Sequence, residues 1–173
     1  MKLREEILKE HSKQQCAAIV AWVGKSQKRF DELFGLFIND EYRVVQRAAW
    51  PVSYCVQAYP ALIHKHFDKL VKKLQEPGIH DAVKRNSIRL LQYVNIPEEW
   101  QGDIMNLCFG YISIPGQAIA TRAFSITVLA NMAKQYPEII PELKMIIEEQ
   151  QDNESPGLKS RSKKILKALQ KNQ

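Results

Sequence analysis

The stretch Val44-Val45-Gln46-Arg47-Ala48 returns three times, altered but in step, as Ala82-Val83-Lys84-Arg85-Asn86, Ile119-Ala120-Thr121-Arg122-Ala123 and Leu158-Lys159-Ser160-Arg161-Ser162. The four arginines are separated by 38, 37 and 39 residues. An apolar residue stands three places before each, and a small or short one directly after it. Five and eight places on come Val52 and Cys55, Leu90 and Tyr93, Thr127 and Ala130, and Leu166 and Leu169. These offsets share one stripe of a 3.6-residue helix. The small residue lets a neighbouring helix approach closely, which puts Ala48 and Ala123 against a partner helix. A period of this length predicts stacked helical hairpins, each burying its apolar face against the next.

Two further marks repeat with the arginine. Tyr59-Pro60-Ala61, Ile96-Pro97-Glu98 and Tyr136-Pro137-Glu138 place Pro where a helix begins, a position whose N–H has no intrahelical partner in any case. Glu76-Pro77-Gly78, Ile114-Pro115-Gly116 and Ser155-Pro156-Gly157 read as turns ahead of the next arginine helix. One unit is therefore Pro, helix, Pro-Gly turn, arginine helix.

From about Gln14 to Leu169 this pattern resembles the HEAT-repeat family and armadillo-like α-solenoids. The resemblance implies an all-α, right-handed superhelix of about five stacked hairpins and says little about activity. It also implies an acid in the turn about six residues before each Arg. Glu41, beside Asp40, fits that place for Arg47. Asp81 is only four before Arg85, Gly116 takes the place before Arg122, and Ser155, beside Glu154, precedes Arg161. Arg122 is therefore expected either to bond backbone carbonyls or to stay free for a ligand. In the first unit Gln15 stands at the Arg position, as in an end repeat.

Ten helices are expected, near 2–10, 12–24, 27–38, 41–58, 60–75, 79–94, 98–112, 117–135, 138–151 and 156–171, with no strand. Short connections predict a single domain, 1–173. The most polar connection, 150–157, is the expected site of local opening. Cys16, Cys55 and Cys108 lack metal-type spacing and sit in apolar surroundings, as small hydrophobes in a reducing compartment do. The start, Met1-Lys2-Leu3-Arg4-Glu5-Glu6, is too charged for a secretory signal. No run is apolar enough to suggest a membrane span, and the expected location is the cytoplasm.

Lysine and arginine number 25 against 19 acids, a formal net charge of +6. Part of the excess lies in Lys159, Arg161, Lys163, Lys164, Lys167 and Lys171, and part in His64, Lys65, His66, Lys69, Lys72 and Lys73. Contact with nucleic acid or an acidic partner is one reading; a solvated face and soluble end cap is the other. His64 and His66 diverge on a helix, and His11 and His80 stand alone, so no metal site is expected.

The candidate binding residues are Arg43, Arg47, Trp50, Tyr54, Arg85, Arg122 and Arg161. Offsets 0, +3 and +7 would place Arg47, Trp50 and Tyr54 on one face with Arg43 near, then Arg85 with Ile88, Gln92 and Arg89, then Arg122 with Ser125 and Leu129, then Arg161 with Lys164. Aligned, they form a basic strip with an aromatic end, suited to an acidic peptide or a phosphate backbone. The other reading packs each Arg stem between hairpins and spends its guanidinium on turn carbonyls and acids. Trp22 and Trp100 are expected to pack; Trp50 is the tryptophan whose exposure matters.

No P-loop, G-x-G-x-x-G, G-x-S-x-G or H-E-x-x-H occurs, and no cofactor is implied. HEAT-like DNA glycosylases of the alkylpurine type use an acid and aromatics in a basic cleft, but no acid is evident beside Trp50 and Arg47. The fumarase and adenylosuccinate lyase superfamily carries a Gly-Ser-Ser loop that this chain lacks. The sequence therefore points to a non-catalytic scaffold or adaptor that binds a protein or peptide, acidic in character, on its arginine helices. A nucleic-acid-binding HEAT-like protein is the alternative.

Overall fold

The computed structural model describes residues 1–114, 116–150 and 154–170. Lys171, Pro115 and the centre of the 150–157 connection lie outside the described residues. The described residues form ten α-helices: α1 Leu3–Lys9, α2 Lys13–Val23, α3 Gln27–Asn39, α4 Tyr42–Ala58, α5 Phe67–Gln75, α6 Asp81–Leu91, α7 Glu98–Ser113, α8 Ile119–Met132, α9 Ile140–Gln150 and α10 Pro156–Gln170. No strand occurs among the described residues. The architecture is all-α, as the repeat period predicts. Two prolines open their helices differently from expectation: Pro60–His66 and Pro137–Ile139 are 3-10 turns that lead into α5 and α9.

Helix ends follow local chemistry. The Ser12 hydroxyl accepts the Gln15 N–H at 3.0 Å and caps α2. The His80 ring nitrogen Nδ1 accepts the Ala82 N–H at 3.0 Å and caps α6. Gly78 and Gly116 turn the chain at φ 70° and 84°, a region open to glycine at no steric cost. The third Pro-Gly pair behaves otherwise. Gly157 has no positive φ, and Pro156 is the first residue of α10, so this pair starts a helix rather than turning ahead of one.

The chain divides into two compact units, 1–100 and 101–173. In the first, the second helices of successive hairpins pack in order, α2 on α4 and α4 on α6, while α1 packs on α3 and α3 on α5. Helix α4 is the centre, also meeting α1 and α3, and it is buried on more than one side through Val44, Ala48, Ala49, Val52, Cys55 and Val56. Phe30, Leu33, Phe34 and Phe37 of α3 are buried. In the second unit α8 packs on α9 and α10.

Side-chain bonds between elements repeat the period. His66 to Asp31 spans 35 residues, Arg89 to Tyr54 spans 35, Tyr136 to Gln101 spans 35 and Arg161 to Ala123 spans 38. Within each unit one repeat thus holds the one beside it, as a nearest-neighbour stack requires.

The core stripe holds for α4 but not throughout. Ala48 is fully buried. In α8 the stripe is rotated: Ile119 is 53% exposed, Ala123 is half-buried, and Thr121, Arg122, Ser125, Ile126 and Leu129 face inward. Tyr93, placed on the stripe of α6, is exposed because that helix ends at Leu91. An overpacking pair tests this register. Ala48→Leu is expected to lower stability by roughly 1–3 kcal/mol, while Ala123→Leu stays within about 0.5 kcal/mol. Equal losses in urea denaturation would show the α8 rotation to be wrong.

Candidate functional site

The four period-marking arginines have four different fates. Arg47 is half-buried and donates to the carbonyls of Leu8 at 2.8 Å and Ile7 at 3.4 Å, carbonyls in the last turn of α1 that lack helical partners. Arg161 donates to the Ala123 carbonyl at 3.2 Å and the Thr127 hydroxyl at 3.4 Å, with its guanidinium 5.5 Å from the centre of the Phe124 ring. Arg122 is 9% exposed and pairs with Glu154 and with the side-chain oxygen of Gln150. Arg85 is exposed and bonds no other described residue.

Two expectations are corrected here. Glu41 and Asp40 do not meet Arg47: both bond Arg4 of α1, Asp40 at 3.0 Å and Glu41 at 3.0 Å. Arg122 neither bonds backbone carbonyls nor stays free: Glu154 reaches it from the turn ahead of α10. In both cases the turn acid serves the repeat before its own.

Arg85 opens onto a hollow of about 350 Å³ in the first unit. Gln46, Trp50 and Tyr54 line it from α4, Ala82, Arg85, Asn86 and Arg89 from α6, and His11 from the connection before α2. Ile88, expected beside Arg85, is buried, so α6 presents offsets −3, 0, +1 and +4 from Arg85 instead. Arg89 is held over the Tyr54 ring, 4.6 Å from its centre, and donates to the Tyr54 hydroxyl at 3.1 Å. Asn86 is fixed from below, its amide donating to the Ala82 carbonyl at 2.8 Å and its oxygen accepting from Ser53 at 3.2 Å. His11 stands edge-on to Trp50 at 5.4 Å, and Trp50 lies 6.3 Å from Tyr54. Arg43 is exposed one turn before Arg47 and lies off this lining.

Trp50 and Tyr54 also wall a second hollow, about 270 Å³, on the α2 side. Its other lining residues are Lys13, Cys16, Ala17, Val20 and Ala21. Burial pushes the Cys16 thiol up to about 11, against the opposing pull of Arg89, so its floor is a neutral thiol. No Asp or Glu lines either hollow. The sequence reading missed this second hollow and the part played by Asn86 and His11. Its signal was present in α2, where Cys16 through Val23 are eight consecutive apolar residues.

A family model for the HEAT repeat domain matches residues 3–169. The chain belongs to the HEAT-repeat family. No curated protein and no solved structure matches it. HEAT repeats are helical scaffolds that typically mediate protein interactions and are generally non-catalytic. In this HEAT-repeat chain three of the four arginines bond neighbouring repeats, and Arg85 stands apart. Cys55 and Cys108 are buried like Cys16, and burial pushes both thiols up to about 12.

The basic clusters are partly consumed. Lys65 and His66 meet Asp31 at 2.6 and 2.7 Å, and Lys73 meets Glu76 at 2.8 Å. Burial raises the Asp31 carboxyl, but hydrogen bonds from Lys65, Gln27 and His66 outweigh it and bring the group down to about 2. His64 is exposed while His66 is buried, so the two do diverge. On α10, Lys163, Lys164 and Lys167 are exposed. Trp22 is half-buried under Arg29, which lies 5.1 Å from its ring and donates to its carbonyl at 2.7 Å. No helix among the described residues is long and apolar enough to cross a membrane.

Proposed function

We propose that this HEAT-repeat chain is a non-catalytic scaffold that binds a protein or peptide on the α4–α6 side of its first unit. The observation that carries this reading is Arg85, left exposed and without a bond to any described residue, beside Trp50, Tyr54 and Arg89. A guanidinium set beside aromatic faces suits a carboxylate, which it can bind through two parallel hydrogen bonds. The hollow carries two arginines and a histidine and no acid, so an acidic segment is the favoured partner. The unbroken family match over 3–169 supports treating 1–173 as one domain. Three buried thiols fit a reducing, cytoplasmic location.

The rival is nucleic acid, favoured by the exposed lysines of α10. Salt separates the two. An immobilised array of acidic 12-residue peptides and a 20-base-pair duplex are offered to the intact chain at 50–200 mM salt. Peptide capture persisting at 150 mM salt and weakened at least tenfold by Arg85→Glu is the expected result. Sub-micromolar duplex binding at 150 mM salt would overturn it, with a log–log slope near −0.9 per phosphate contacted that flattens when Lys163, Lys164 and Lys167 become Gln.

A further inference from the structure

Helix α2 is apolar on more faces than the fold covers. Of the eight apolar residues Cys16–Val23, the buried ones are Cys16, Ile19 and Val23. Ala17 and Ala21 are exposed and Val20 is half-buried. A helix apolar all round is ordinarily covered all round. The uncovered side is the 270 Å³ hollow against Trp50 and Tyr54. Those same two side chains wall the arginine-bearing hollow on their other side. An apolar recess and a cationic recess therefore share one aromatic wall.

Resting on the peptide-binding reading above, we infer that the site recognises two side chains of one segment at once. A bulky apolar side chain enters the α2 hollow over Ala17 and Ala21, and an Asp or Glu side chain reaches Arg85 and Arg89 across the wall. The charge argument fixes the occupant. Neither recess has an acid, Lys13 stands at the rim of the apolar one, and Arg85 has no described partner to give up. Arg89 is anchored on Tyr54, so the cationic recess is set before the ligand arrives, and less freedom is lost on binding. The wall is about one aromatic side chain thick. The two ligand side chains then lie within about four positions of each other, neighbours on one helix face or on the same side of a strand.

Phage-displayed random 12-residue peptides selected on the intact chain test this directly. Enriched peptides are expected to pair Phe, Trp or Leu with Asp or Glu within four positions. The selected consensus peptide, labelled with fluorescein, is then titrated by anisotropy. Arg85→Gln is expected to weaken it at least tenfold and to abolish the preference for Glu over Gln in the peptide, while the preference for Phe over Ala survives. Ala21→Trp, at an exposed position where the fold tolerates bulk, is expected to do the reverse by filling the apolar recess; unchanged circular dichroism confirms that both variants fold. Enriched peptides lacking the apolar–acidic pair, or binding indifferent to both variants, overturn the two-recess inference while leaving peptide binding in place. Enrichment of no peptide at all overturns the reading beneath it.

Discussion

Arg122→Ala is expected to destabilise the protein by roughly 3–5 kcal/mol, because it leaves the Glu154 carboxylate buried without its counter-charge. The Arg122 and Glu154 side chains are 11% and 10% exposed, so water cannot take over the lost role. The loss falls on one partner more than the other. Gln150 keeps a bond, its amide donating to the Ile112 carbonyl at 2.8 Å. The Arg122 Nε is already buried without a partner among the described residues. Arg122→Met with Glu154→Leu should therefore recover much of the loss, since an apolar pair of similar size often replaces a buried ion pair at little cost. Arg47→Ala supplies the comparison. It removes charged bonds to two α1 carbonyls at a half-buried site, and about 1.5–3 kcal/mol is expected. Urea denaturation of the three variants decides. A single Arg122 substitution milder than Arg47→Ala, or a double variant no better than the single, would refute the buried-pair account.

The arginine period was enough to find the repeat but not to say what each arginine does. Period and proline marks located all ten helices, because caps, glycines and prolines act locally through backbone preference. The inward face of α8 was not legible. Its sequence is apolar or small at nearly every place, so hydrophobicity alone leaves the rotation undetermined. Ser125 returns its hydroxyl to the Thr121 carbonyl at 2.9 Å, which lets a polar residue sit in the core at little cost. Arg122 then turns inward because Glu154 is there to meet it. The acids that answer Arg4, His66 and Arg122 come from about one repeat away, and spacing within a single copy cannot reveal them.

The candidate site shows the same division. Trp50, Tyr54 and Arg85 could be named from the helical offsets, and the structure sets all three around one hollow. Arg89 takes over the contact to the preceding repeat that Arg47 and Arg161 make in theirs. That substitution, one turn along the helix, is what leaves Arg85 unused. It depends on Tyr54 standing opposite, a tertiary fact.

Phe34→Ala is the other substitution with a large expected effect, about 3–5 kcal/mol. Phe34 is 1% exposed and sits among three rings: Phe30 at 6.0 Å, Phe37 at 5.7 Å and His66 at 4.4 Å, the last stacked at 24°. Phe30 and Phe37 belong to its own helix, but His66 arrives from the following hairpin. Truncation would open a cavity and also remove the face against which His66 rests. His66 holds Asp31 at 2.7 Å, beside the Lys65 contact at 2.6 Å, so the polar clamp between α3 and the Pro60–His66 turn should loosen with it. In a stack where each repeat contacts only its neighbours, such a loss weakens an interface and not merely one helix. Hydrogen exchange should therefore rise together in α3 and in α5, which follows directly on the clamped Pro60–His66 turn, and Phe34→Leu should cost far less because it retains most of the volume. Exchange that rises in α3 alone, or a loss under about 1.5 kcal/mol for the alanine variant, would mean that the ring cluster does not join the two hairpins.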